Sequence, residues 1–225
     1  MSDSVKPRTR AIASAAGAAG VCADRRPRGR PAGRCPTRDD LVQAGIGVFT
    51  EHGFAATGID AVLREVGVPK GSFYHYFSSK EEFGLAVIDA YARHYAEKLA
   101  RLFGDPTVPP LARFGNFLAE ARRGMRKHAF RRGCLVGSLG QEFGCAHDVF
   151  AKRLAAVFGD WQRQVGDCLR EAQAAGQVDP AEDAKKLAEV FWIGWEGAVM
   201  RARLEQSARP LELFMEFYLA PLRRT

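Results

Sequence analysis

A chain of 225 residues with 47% hydrophobic and 26% charged residues has the make-up of an ordinary globular protein, which excludes the disordered and membrane-embedded classes. Its net charge of +7 is crowded into the start, where Lys6, Arg8, Arg10, Arg25, Arg26, Arg28, Arg30 and Arg34 face only Asp3 and Asp24. A basic arm on a near-neutral body points to an anionic polymer as partner, because neutralising phosphates releases condensed counterions.

Residues 1–36 are rich in Ala, Gly, Pro, Ser and Arg, with almost no large apolar groups to repay the entropy of ordering, and read as a disordered basic arm. Ala11 to Val21 follows three basic residues like a signal peptide, but its Ala and Gly lack a strongly apolar core, and no apolar run approaches the ~20 residues that cross a bilayer. Cys22, Cys35, Cys134, Cys145 and Cys168 are odd in number and scattered, with no Cys-x-x-Cys and no histidine at ligand spacing. They imply a reducing cytoplasm and no metal or other cofactor.

From Thr37 onward the apolar residues recur at three and four, with no alternation of period two, so the expected fold is all-α. Thr37 with Asp40 caps a first helix that Gly53 stops. Thr57 with Asp60 opens a second to Val66, Gly67 breaks it, and a third covers Lys70 to Tyr76. Ser78 with Glu81 makes a capping box for a long fourth helix along Gly84, Ile88, Tyr91, Tyr95, Leu99 and Leu102.

After a turn at Asp105 to Pro110, Leu111, Phe114, Leu118, Ala121 and Met125 mark a fifth helix. Gly133 starts a sixth. Phe150 to Ala172 reads as another, Asp179 and Pro180 cap and start one along Phe191, Trp195, Ala198 and Ala202, and Leu211 to Leu222 forms the last. Two short helices joined by a glycine turn, each too short to stand alone, fit a helix-turn-helix whose second helix enters a major groove. Spacing alone leaves open a mere surface turn of a bundle.

The run ATGIDAVLREVGVPKGSFYHYFSSKEEFGLAV resembles the DNA-binding signature of the tetracycline-repressor (TetR) family. The resemblance implies a three-helix DNA-binding domain at 37–83 and a helical ligand-binding and dimerisation domain at 84–225, about nine helices in all. It implies that Thr57, Gly58, Lys70, Gly71, Ser72, Tyr74, His75 and Tyr76 meet double-stranded DNA and that Lys80 clamps a phosphate. Pro69 stands where most members carry a serine. A homodimer on a palindromic operator and a small-molecule effector also follow from the family, and no membrane partner does. Arg28 and Arg30 lie in RGRP, which resembles the core of an AT-hook that enters a narrow minor groove.

RRGCLVGSLGQEFG and FWIGWEGAVMRARLE further resemble repressors that respond to acrylate or other electrophilic unsaturated compounds. If Gly133 starts the sixth helix, Cys134, Ser138, Gln141 and Cys145 share one face. Cys134, in a first turn beside Arg131 and Arg132, is then expected to have a lowered thiol pKa suited to adding to an activated alkene. Ser138 and Gln141 could instead donate to a carboxylate, and Cys134 could be an inert core residue. Glu142, on the face of Leu135 and Leu139, needs a partner or a ligand. Trp161, Trp192 and Trp195 fit either a pocket or a core. A cysteine-based redox sensor, an architectural DNA binder without a signal, and an enzyme using Cys134 with His128 or His147 are the rival readings.

Overall fold

The computed structural model describes residues 37–144 and 147–222, so Arg28, Arg30, Cys22, Cys35 and Cys145 lie outside the described residues. Nine α-helices and no strand are found among them. The first, α1 (Arg38–His52), carries the expected capping box: Thr37 accepts from the Asp40 amide at 3.3 Å, and the Asp40 carboxylate accepts from the Thr37 amide at 2.7 Å. It ends at Gly53, whose φ of 81° suits a residue without Cβ.

The cap of α2 (Ile59–Val66) is Gly58, not Thr57. The Thr57 hydroxyl instead donates backward to the Gly53 carbonyl at 2.6 Å and is buried, because the turn after α1 needs its own closure. Gly67, at φ 73°, ends α2, and α3 (Lys70–Tyr76) follows at once. The long α4 (Lys80–Phe103) starts one residue later than its spacing suggests. Phe77 and Ser79 are both extended, so Ser79 is the cap, accepting from the Glu82 amide at 3.1 Å, while Ser78 donates to the Glu82 carboxylate through its amide and hydroxyl.

The helices α5 (Pro110–Lys127), α6 (Leu135–Phe143), α7 (Asp148–Ala174), α8 (Ala184–Glu205) and α9 (Arg209–Leu219) follow among the described residues. The start of α8 is corrected from Pro180 to Ala184. Asp183 caps it by accepting from Lys185 and Lys186, and Asp179 is spent on the Ala181 amide in the preceding turn.

Two aromatic clusters position everything else. Phe49, Phe54, Phe73, Phe77 and Phe83 interlock at centroid distances of 5.0–5.6 Å under α3. Trp161, Trp192 and Trp195 are fully buried with Phe117 and Phe191, and the half-buried Tyr95 packs on them, so the tryptophan stripe forms core. Phe54 carries the first cluster onto α6 and α7, packing on Phe143 and Phe150 at 5.1 and 5.4 Å. Gly84 makes this contact feasible, since a Cβ there would lie 2.6 Å from the Phe54 ring. α4 runs unbroken through residues 83 and 84 and lends Phe83 to one cluster and Leu99 and Leu102 to the shared core.

Candidate DNA interface and effector cavity

Only seven residues long, α3 is held by burial of Phe73 on α3 and of Phe77 just after it, with Tyr74 packed edge-on against Phe73. That anchoring turns the polar residues outward. Lys70, Gly71, Tyr74 and His75 are exposed, Tyr74 by 54%, while Ser72 and Tyr76 are half-buried. A Cβ at Gly58 or Gly71 would meet only open space, so the backbone at the start of both helices is accessible to a phosphate.

Lys70 pairs with Asp60 at 3.6 Å, but both side chains are well exposed, and such a pair is worth at most about 1 kcal/mol, little enough to yield to a phosphate. The Lys80 ammonium sits 4.3 Å from the centre of the Phe54 ring, held at the first turn of α4. Thr57 is the exception among the expected contacts. It is 3% exposed, its amide donates to Phe54 and its hydroxyl to Gly53, so it braces the turn from inside.

Above α1, the first residues of α6 open onto a cavity of about 510 Å³ whose wall includes Cys134, Ser138, Gln141, Glu196 and Arg203. Cys134 is the cap of α6 rather than part of its first turn, its sulfur accepting from the Gly137 amide at 3.4 Å. The expected thiolate is corrected. Cys134 is 7% exposed, and burial, followed by the neighbouring Glu196 carboxyl, pushes the thiol well above its ordinary range, outweighing the helix terminus.

Glu142 does not face the cavity. Its carboxylate accepts from the Phe54 amide at 2.8 Å and from the Ala55 amide, clasping the turn after α1. The Trp161 and Trp192 indole nitrogens make no hydrogen bond, and neither ring borders this cavity. Trp195 borders a second cavity of about 350 Å³, along with Tyr91, Tyr95, Lys98, His128 and Cys134.

Three polar groups escaped the sequence reading. Glu196 is the first: burial pushes its carboxyl up to about 7, its Oε1 has no hydrogen-bond partner, and Gly137 leaves the space it fills. Its interruption of the Trp192, Trp195 and Val199 stripe was a usable signal. Arg203 is the second, with its stem against Gly133. The third, Glu51, pairs with Arg131 at 2.9 Å and Arg132 at 3.2 Å. Although burial acts the other way, the Arg132 hydrogen bond and both guanidinium charges hold Glu51 below the usual carboxylate range.

Residues 41–87 match the family model described as bacterial regulatory proteins, tetR family, and residues 110–218 match the tetracyclin repressor-like C-terminal domain. The chain is 48% identical to the transcriptional regulator AcuR of Cereibacter sphaeroides over 189 residues, covering 84% of this chain and 86% of that one. It is 32% identical to the HTH-type transcriptional repressor DhaR of a Mycobacterium species, strain GP1, over 81% of this chain and 90% of that one. A crystal structure of regulatory protein TetR from Rhodobacter sphaeroides superposes with a TM-score of 0.79 at 46% identity, covering 82% of this chain and 97% of that chain. These relatives are transcriptional regulators, not enzymes.

Proposed function

The chain belongs to the TetR family of bacterial transcriptional repressors, and on that premise we propose that it binds a palindromic operator as a homodimer and releases it when a small molecule occupies the cavity over α6. The effector is a small unsaturated carboxylate such as acrylate, or its acyl-CoA. The observation that carries this reading is the double use of α6. One face offers Ser138 and Gln141 to the cavity, and the other sends Glu142 to the turn that leads into α2. A ligand that moves α6 therefore moves the DNA-reading helices.

Residues 37–83 act as the DNA-binding domain, 84–225 as the effector and dimerisation domain, and the arm at 1–36 adds phosphate or minor-groove contacts in the cytoplasm. Phosphate contacts from Lys70, Tyr74 and Lys80 position α3, while Gly58, Gly71, Ser72, His75 and Tyr76 frame the groove. Apolar residues left outside support the dimer: Ile193, Leu204 and Phe217 are 74%, 73% and 69% exposed on α8 and α9. Gly197 has open space beside it on that face, whereas Gly194 is already filled by Phe214 of its own chain.

A gel shift on DNA upstream of its own gene, with acrylate, acryloyl-CoA or a maleimide added, tests the effector class. Release by none of them removes it. Coating of all DNA in a footprint, in place of one short palindrome, would support an architectural protein. Electrophile sensing through Cys134 is the second reading. Because the buried thiol is held in its protonated form, Cys134→Ser is expected to keep the effector response, and loss of that response would restore the covalent reading.

A further inference from the structure

We infer that Arg203 is the receptor for the effector's carboxylate and the residue through which occupancy of the cavity reaches α1. This rests on the effector class proposed above. Two arginines of the effector domain make the case by contrast. Arg113 is buried with three short partners: the Glu171 carboxylate at 2.6 Å and the carbonyls of Phe103 and Val108 at 2.6 and 2.9 Å.

Arg203 lines the cavity with no carboxylate within 4.0 Å among the described residues. Among the described residues its guanidinium makes two long bonds, both to uncharged oxygens, at 3.4 Å to the Ser138 hydroxyl and 3.4 Å to the Glu51 carbonyl. The nearby Glu51 carboxylate is taken by Arg131 and Arg132. Glu196 lies two turns earlier on the same face of α8, about 10 Å along the axis, and its carboxyl is only partly ionised at neutral pH. A planar fork with weak neutral partners in a cavity matches a carboxylate, which it can take bidentately.

Its two present acceptors lie on different parts of the repressor: Ser138 on α6 and Glu51 on the last turn of α1. A carboxylate that captures the fork, with Ser138 as second donor, draws it from the Glu51 carbonyl and frees the end of α1. Occupancy and tethering compete for the same five N–H groups.

The test is calorimetric titration of full-length protein with acrylate and with acrylamide, which has the same alkene and no charge, together with the gel shift. Arg203→Gln is expected to bind acrylate at least tenfold more weakly, in line with a lost charged hydrogen bond. It should lose the preference for acrylate over acrylamide and bind operator a few-fold more weakly even without effector, since the tether is gone. Arg203→Lys should recover part of the acrylate affinity, keeping the charge but not the fork. Melting temperature monitors the fold, and if Arg203→Gln melts well below wild type, Arg203→Lys decides. Wild-type acrylate affinity in a variant that melts normally overturns the role of Arg203 alone. No acrylate binding by wild type overturns the effector class and this inference with it.

Discussion

The surface proposed to read DNA and the cavity proposed to receive the signal are held in opposite ways. Under α3, the anchors are apolar and close in sequence: Phe49, Phe54, Phe73, Phe77 and Phe83 lock ring against ring. Over α6, the ties are polar and distant in sequence, joining Glu51 to Arg131 and Arg132, Glu142 to Phe54 and Ala55, and Arg203 to Glu51. Interdigitated rings resist small displacements, because any shift opens a void. Polar ties can be exchanged for bonds to a ligand at little net cost. On the proposed function, a reading head that must keep its shape and a joint that must give way call for these different materials.

The hardest blow to the contrast is at the apolar anchor. Phe73→Ala should cost about 3–5 kcal/mol in urea unfolding and abolish operator binding, as expected for a large buried ring. A loss under 1 kcal/mol would mean that α3 does not depend on this cluster.

The next effect concerns Glu196. Its folded pKa of about 7 lies above the ordinary 4.5, so the folded state keeps a proton that the unfolded chain has released between those values. Its contribution is fully present below pH 4.5 and is lost as pH rises through 7. The groups around it are Tyr91 and Tyr95 from α4, Cys134 at the start of α6, Glu51 and His52 from α1, Arg131 from the loop before α6, and Arg203 on α8. Glu196→Gln should remove this slope and stabilise the protein at pH 8 by roughly 3 kcal/mol. Equal slopes from pH 5 to 8 in both proteins would place the carboxyl in water.

The smallest effect tests the polar joint. Glu142→Ala leaves the Phe54 and Ala55 amides to solvent and should cost only about 1 kcal/mol, yet weaken operator binding and lower the effector concentration needed for release. Unchanged effector response would show that α6 is not the joint.

Most of the helical order was legible, because amphipathic spacing is a local property. Phe150 through Ala172, for instance, forms one buried stripe of α7 as its periodicity predicts. Caps were read one or four residues off at α4 and α8, since Ser78, Ser79, Asp179 and Asp183 all have side chains able to cap and only the surrounding backbone selects one. The Cys134 thiol was misjudged because its helix terminus is visible in sequence and its burial beside Glu196 is not. The pairings of Glu51 and Glu142 span eighty residues or more and leave no local trace. On α3, the division between anchored and exposed residues was legible from Phe73 and Phe77 alone, but the inward turn of Thr57 was not.

The notch at Gly194 has a consequence for how such sequences can diverge. The Phe214 ring occupies the place where a side chain at 194 would begin. The two positions are coupled: a larger residue at 194 calls for a smaller one at 214, and a smaller one at 214 makes room for growth at 194. Across descendants of this chain the two positions should trade volume in pairs, like the two halves of a key and its lock.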